Sequence, residues 1–142
     1  MYVEISDATR GAHLFAYGTL ELPVVLERVT QRSFKSRAAV LPGYARYLLR
    51  SHPYPAIVCE PAVSVPGTLY LDLDTDAFAR LDAYEGNIYE RIALAVVVAA
   101  ETPALVAQCY VLRPEFHELL SEQAWDRAEF ERRHLAGYLA RI

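Results

Sequence analysis

The chain has 142 residues, 54% of them hydrophobic, and a formal net charge of −4. That length suits a single domain spanning residues 1–142, and the hydrophobic share excludes a disordered chain. The negative balance argues against nucleic acid as a partner, which needs a basic surface, and the longest apolar run, Ile92 to Ala100, falls far short of the ~20 residues that span a bilayer. The opening stretch, Met1 to Arg10, carries Glu4 and Asp7 and does not read as a signal peptide, so the cytoplasm is the expected compartment.

In chain order, His13 to Tyr17 reads as a short strand stopped by Gly18. Pro23 to Thr30 suits one or two helical turns, with Pro23 where its missing N–H costs nothing. Phe34 to Val40 and Tyr44 to Arg50 read as two strands joined by a Leu41-Pro42-Gly43 turn. Ala56 to Glu60 is a further strand, and Val63 to Leu71 another, bent or bulged at Pro66-Gly67. Asp74 is a good N-cap for a helix over Thr75 to Glu85, which Gly86 stops. Tyr89 to Ala99 and Ala104 to Leu112 read as long strands turned at Glu101-Thr102-Pro103. From about Phe116 to Ile142 the apolar spacing predicts a long C-terminal helix, packed outside the body of the domain or on a partner. Many strands, few helices and no strand-helix alternation predict an α+β fold: a small, mixed, mostly antiparallel barrel or sheet with flanking helices.

Two segments carry chemistry. Phe78, Leu81 and Glu85 stand at i, i+3 and i+7, on one helical face. A carboxylate beside two core residues is desolvated, and at a helix C-terminus it meets an unfavourable dipole. Both effects push Glu85 toward proton exchange near neutral pH. The same pattern is met by a glutamate that swings to solvent from a frayed end, and taken alone the pattern favours that slightly. The second segment is Tyr17-Gly18-Thr19-Leu20, where a strand end presents backbone N–H groups beside a glycine and a hydroxyl. Such a nest suits a carboxylate or a developing oxyanion; taken alone, an ordinary turn is the preferred reading.

Tyr17-Gly18-Thr19-Leu20 resembles the YG[ST]L signature of the gamma-glutamylcyclotransferase-like superfamily. Gly67-Thr68-Leu69-Tyr70 is similar to that family's Gly-x-[Leu/Val]-Tyr strand, and Leu81-Asp82-Ala83-Tyr84-Glu85-Gly86 with Tyr89-Glu90-Arg91 to its third mark. The tail, with Trp125-Asp126, Phe130, His134 and Leu135, resembles the plant avirulence-induced branch and its bacterial relatives. The ordered set is specific where each motif alone is modest. The resemblance implies a barrel or sheet with a central cavity. It implies conversion of a gamma-glutamyl amine or amide to 5-oxoproline and a free amine, with a small-molecule substrate and no metal or cofactor. It implies Glu85 as general acid and base, and Tyr17 to Leu20 as the cradle of the glutamyl half.

Tyr89 and Arg91 share a strand face and are candidate cavity-wall residues, although an Arg-carboxylate structural contact is at least as good a reading of Arg91. Tyr110 is a third candidate, with core as its plainer reading; Tyr70 and Tyr84 read as wall or core. Asp72-Leu-Asp74-Thr-Asp76 fails as a calcium loop, because Ala77 and Ala83 stand where Gly and Glu are required. His13, His52, His117 and His134 show no zinc-ligand spacing. Cys59 and Cys109 sit singly in apolar stretches and read as buried free thiols. The alternative functions are a non-catalytic binding module for a small metabolite and an interaction protein using the C-terminal helix. The leaving amine and the oligomeric state have no code in the sequence.

Overall fold

Strand alternation in β1 (Ala12–Ala16) organises the molecule, because successive side chains point to opposite faces. Leu14 and Ala16 enter one hydrophobic core, while Phe15 and the following Tyr17 enter another. A computed structural model describes residues 12–98 and 103–142. The segment expected not to be a signal peptide, the end of the strand expected over Tyr89 to Ala99, and Glu101 and Thr102 of the expected turn lie outside the described residues.

The other elements are α1 (Pro23–Thr30), β2 (Ser36–Leu48), β3 (Pro55–Leu73), α2 (Thr75–Glu85), β4 (Tyr89–Val96), β5 (Leu105–Leu112), α3 (Arg127–Arg133) and α4 (Leu135–Arg141). One sheet runs β2-β3-β1-β5-β4. Its pairs are antiparallel except β1 with β5, which is parallel. At one point Val40, within edge strand β2, and Val97, just past edge strand β4, exchange both backbone hydrogen bonds, at 2.9 and 2.8 Å, which curls the sheet toward a barrel. The core inside the curl holds Phe15, Leu41, Ile57, Val65, Leu69 and Cys109. The larger core, between sheet and helices, holds Leu14, Leu26, Tyr70, Leu73, Phe78, Leu81 and Phe130. This is the mixed α+β architecture the strand pattern predicts.

Three expectations are corrected. The two strands expected on either side of Leu41-Pro42-Gly43 are one strand, β2, paired along its length with β3, which likewise fuses two expected strands. Pro42-Gly43 makes an irregularity in that ladder instead of a turn: Pro42 faces Ser64 but Tyr44 faces Cys59, so β3 carries the extra residues of a bulge. The long C-terminal helix is also absent. Pro114–Leu119 forms a 3-10 helix, and Leu120 bridges Leu49 while Leu48 N donates to Gln123 O at 2.8 Å. Those bonds commit the segment to extended chain, so the helix begins only at the Asp126 cap and breaks again at His134 (φ −124°, ψ −20°). Last, Cys109 is buried as expected but Cys59 is exposed.

Gly67 shows why β3 needs a glycine. A Cβ there would lie 2.4 Å from the Ala16 carbonyl oxygen and 2.6 Å from Cζ of Phe15, inside contact distance of the neighbouring strand. α2 has the predicted limits. Asp74 accepts from Ala77 N at 2.9 Å, and Gly86 closes the other end with its N–H on Asp82 O. No helix among the described residues is long and apolar enough to cross a membrane.

Candidate active site

The site begins where β1 stops. After Tyr17 and Gly18 the chain makes a 3-10 turn, Thr19–Glu21. Its bonds run from Glu21 N to Gly18 O (2.9 Å) and from Leu22 N to Thr19 O (3.1 Å), so the turn itself leaves the Thr19 and Leu20 amides unused. The carbonyls are engaged by the sheet. Tyr70 shares its hydroxyl between Leu20 O and Glu21 O, both at 2.9 Å, and Arg46 Nη1 donates to Tyr17 O at 2.7 Å. Glu21 is buried. Burial raises its carboxyl's pKa, against a hydrogen bond from Thr68 and the charges of Arg127 and Arg46. Gly18 lets the turn lie against Pro55, whose Cγ and Cδ would stand 3.0 Å from a Cβ.

Glu85 is the last residue of α2, on the side of the helix that buries Phe78 and Leu81. The residue keeps some contact with solvent. Its carboxyl nevertheless sits deep enough among protein atoms that burial, with the nearby charge of Asp82 adding, pushes it up to about 8. No hydrogen bond from a described residue holds it. It lines a partly open cavity of ≈ 90 Å³ together with the whole Tyr17-Gly18-Thr19-Leu20 turn. The fold thus brings to one cavity the two segments that the sequence singles out.

Tyrosines from six places complete the wall: Tyr17, Tyr54, Tyr84, Tyr89, Tyr110 and Tyr138. Most are fixed by their hydroxyls. Tyr17 donates to Tyr110 O at 2.5 Å, Tyr89 to Pro55 O at 2.8 Å, and Tyr110 to Asp82 Oδ1 at 2.7 Å. Thr19 Oγ1 and Tyr84 OH are 3.1 Å apart, and Tyr84 OH is in turn hydrogen-bonded to Tyr138 OH. Burial raises the pKa of all six phenols, so each stays protonated at neutral pH and can donate.

Tyr89 and Tyr110 are at the cavity, whereas Arg91 is not. Strand parity gives Tyr89 and Arg91 the same face, but two residues of rise carry Arg91 past the cavity. There its Nε and Nη2 meet Asp82 Oδ1 and Oδ2 at 2.8 and 3.2 Å, and its guanidinium stacks 4.7 Å above Phe78. Asp82 feels burial, but its hydrogen bonds from Arg91 and Tyr110 hold its carboxyl below the usual range. Sequence reasoning passed over Asp82, Glu21, Tyr54 and Tyr138. Asp82 carried a signal, lying one helical turn before Glu85. Tyr54 and Tyr138 carried none, since only the fold brings a loop and the last helix to this cavity. Among the described residues no group of His, Cys, Asp and Glu gathers as a metal-ligand set.

A family model described as gamma-glutamyl cyclotransferase, AIG2-like, matches residues 14–127. The chain belongs to that family. AIG2-like protein A of Arabidopsis thaliana is 28% identical over 135 residues, covering 94% of this chain and 81% of the relative. The solution structure of an Arabidopsis thaliana protein superposes with a TM-score of 0.72 at 27% identity, covering 96% of this chain and 91% of that one. A structure named gamma-glutamyl cyclotransferase shares the fold, with a TM-score of 0.63 at 17% identity over 92% of this chain and 85% of its own. The family match spans the turn, Tyr54 and Glu85; Tyr138 lies beyond it.

Proposed function

We propose that this family member is a cyclotransferase that converts a gamma-glutamyl amine or amide to 5-oxoproline and a free amine. The observation that supports this most is the unbonded Glu85 carboxyl, raised to about 8, in one cavity with the Tyr17 to Leu20 turn. The substrate's α-amine is protonated at neutral pH and cannot attack. In this reading Glu85 takes its proton. The freed nitrogen attacks the γ-carbonyl of the same molecule and forms the lactam C–N bond. As the tetrahedral centre collapses, Glu85 gives that proton to the leaving nitrogen and the bond to it breaks. The ring nitrogen gives up its second proton to Glu85, which passes it to the released amine, so the products are the neutral lactam and an ammonium ion.

The nucleophile is tethered, so the cavity's task is to fold the glutamyl chain into attack geometry. The Thr19 and Leu20 amides supply donors for the α-carboxylate or the oxyanion. The buried phenols are neutral donors that leave the base free. A non-catalytic binding module is the other reading of the same cavity. It is disfavoured by Glu85, because an anion binder gains nothing from a further buried carboxylate. The test is release of 5-oxoproline from a panel of gamma-glutamyl amines and dipeptides, by wild type and by Glu85→Gln. Turnover lost in the variant supports the assignment; full turnover in the variant removes Glu85 as the base.

A further inference from the structure

The C-terminal segment reaches the cavity with one side chain, Tyr138 of α4, which is 9% exposed. Its position is fixed from several sides. The Phe130 ring, 1% exposed, packs edge-on against it with centroids 5.4 Å apart. Arg28 of α1 donates to Leu139 O at 2.6 Å, and Trp125 Nε1 donates to Pro53 O at 2.9 Å. Arg127 Nη1 lies 3.6 Å from the buried Glu21 carboxylate at the end of the turn. So held, the Tyr138 hydroxyl ends a chain that runs through Tyr84 to Thr19, the hydroxyl of the proposed cradle. Its ring stands edge-on to Tyr54 at 6.4 Å and to Tyr84 at 6.5 Å.

Beyond Tyr54 and Tyr138 lies a second space, a groove of ≈ 750 Å³ whose lining includes His52, Trp125, Phe130, His134 and Arg141. The His52 ring packs tilted against Tyr54, centroids 4.9 Å apart, and Arg141 lies over the Tyr138 ring at 5.9 Å. The two tyrosines line only the cavity of ≈ 90 Å³; with His52, Phe130 and Arg141 packed on their outer sides and lining the groove, they form a partition of side chains between the two spaces.

We infer that Tyr138 is a specificity-determining and positioning residue: its ring sets the size of the leaving amine, and its hydroxyl orients Thr19 through Tyr84. This rests on the cyclotransferase reading above. Two separate consequences follow. Removing the ring thins that partition, enlarges the cavity on the groove side and admits a bulkier amine. Removing only the hydroxyl keeps the partition and loosens the cradle.

The experiment compares wild type, Tyr138→Ala and Tyr138→Phe on gamma-glutamyl methylamide and gamma-glutamyl benzylamide, following 5-oxoproline. Tyr138→Ala is expected to shift the ratio of kcat/KM values toward the benzylamide by about 10-fold or more. Tyr138→Phe is expected to keep the wild-type ratio and raise KM about 3- to 10-fold for both amides, with kcat less affected. A merely structural role would lower both substrates alike, so an unchanged ratio in Tyr138→Ala overturns the size assignment. An unchanged KM in the near-isosteric Tyr138→Phe overturns the positioning assignment. If wild type releases nothing from either amide or from any other member of the gamma-glutamyl panel, the cyclotransferase reading fails by itself. Tyr138 is then judged by calorimetry with 5-oxoproline: an affinity weakened about 5-fold in Tyr138→Phe upholds its positioning role, and an unchanged or undetectable wild-type affinity overturns it.

Discussion

Replacing Glu85 by Gln keeps the shape of the side chain and removes its charge, so the variant isolates the cost of ionising a carboxyl in this cavity. In the unfolded chain the group ionises near 4.5; in the folded protein burial and Asp82 move that to about 8. Between those values the unfolded state gives up the proton and the folded state keeps it. Stability is therefore lost as pH rises, and the loss is complete once pH passes the folded value. At ~1.4 kcal/mol per tenfold change the ceiling is about 5 kcal/mol. Glu85 keeps some solvent contact and its ionised form can draw in water, which brings the expected penalty to about 2 kcal/mol. Glu85→Gln escapes it. The variant should match wild type near pH 4, where both side chains are neutral, and melt about 6 °C higher near pH 9. Thermal and denaturant unfolding at several pH values between those limits read this directly. A variant no more stable than wild type at pH 9 would refute the claim that this carboxyl is desolvated.

Asp82→Asn removes the like charge beside Glu85 and should lower its apparent pKa, moving the acidic limb of the pH–rate profile to lower pH. It also weakens the hold on Arg91 and Tyr110, which both donate to this side chain, so some loss of kcat accompanies the shift. Gly67→Ala drives a methyl into the Ala16 carbonyl and the Phe15 ring, and should destabilise the fold by about 3 kcal/mol in denaturant titrations. Gly18→Ala meets only the Pro55 ring, at 3.0 Å. It should cost about 1 kcal/mol of stability yet raise KM, because the turn shifts away from the cavity.

The limits of α2 were legible because both are written locally, in the Asp74 carboxylate and in Gly86. The strand breaks were not. A Pro-Gly pair marks a turn and a bulge alike, and only the register of β3 against β2 decides between them. The C-terminal segment misled for a related reason. Its apolar spacing continues past His134, but the strand-like bonds of Leu48 and Leu49 to residues 120–123 are non-local and override helix propensity. At the site, Glu85 was legible from its place on the face of Phe78 and Leu81, and the turn from its glycine. The tyrosine wall was legible in part: Tyr89 and Tyr110 were candidates from their strands and Tyr84 a wall-or-core residue, whereas Tyr54 and Tyr138 come from a loop and the last helix that only the fold brings to the cavity. Asp82 stood inside a recognised motif, yet its work of fixing Arg91 and Tyr110 needed the structure to be seen.

The central claim is that Glu85 moves the proton in cyclisation of a gamma-glutamyl amide. Its most direct test is 5-oxoproline release by wild type and Glu85→Gln near pH 7.5, with 5-oxoproline affinity measured by calorimetry for both. The account predicts turnover by wild type on at least one gamma-glutamyl amide, and a loss of about 1,000-fold or more in a variant that still binds 5-oxoproline. Equal turnover by the two proteins would contradict it.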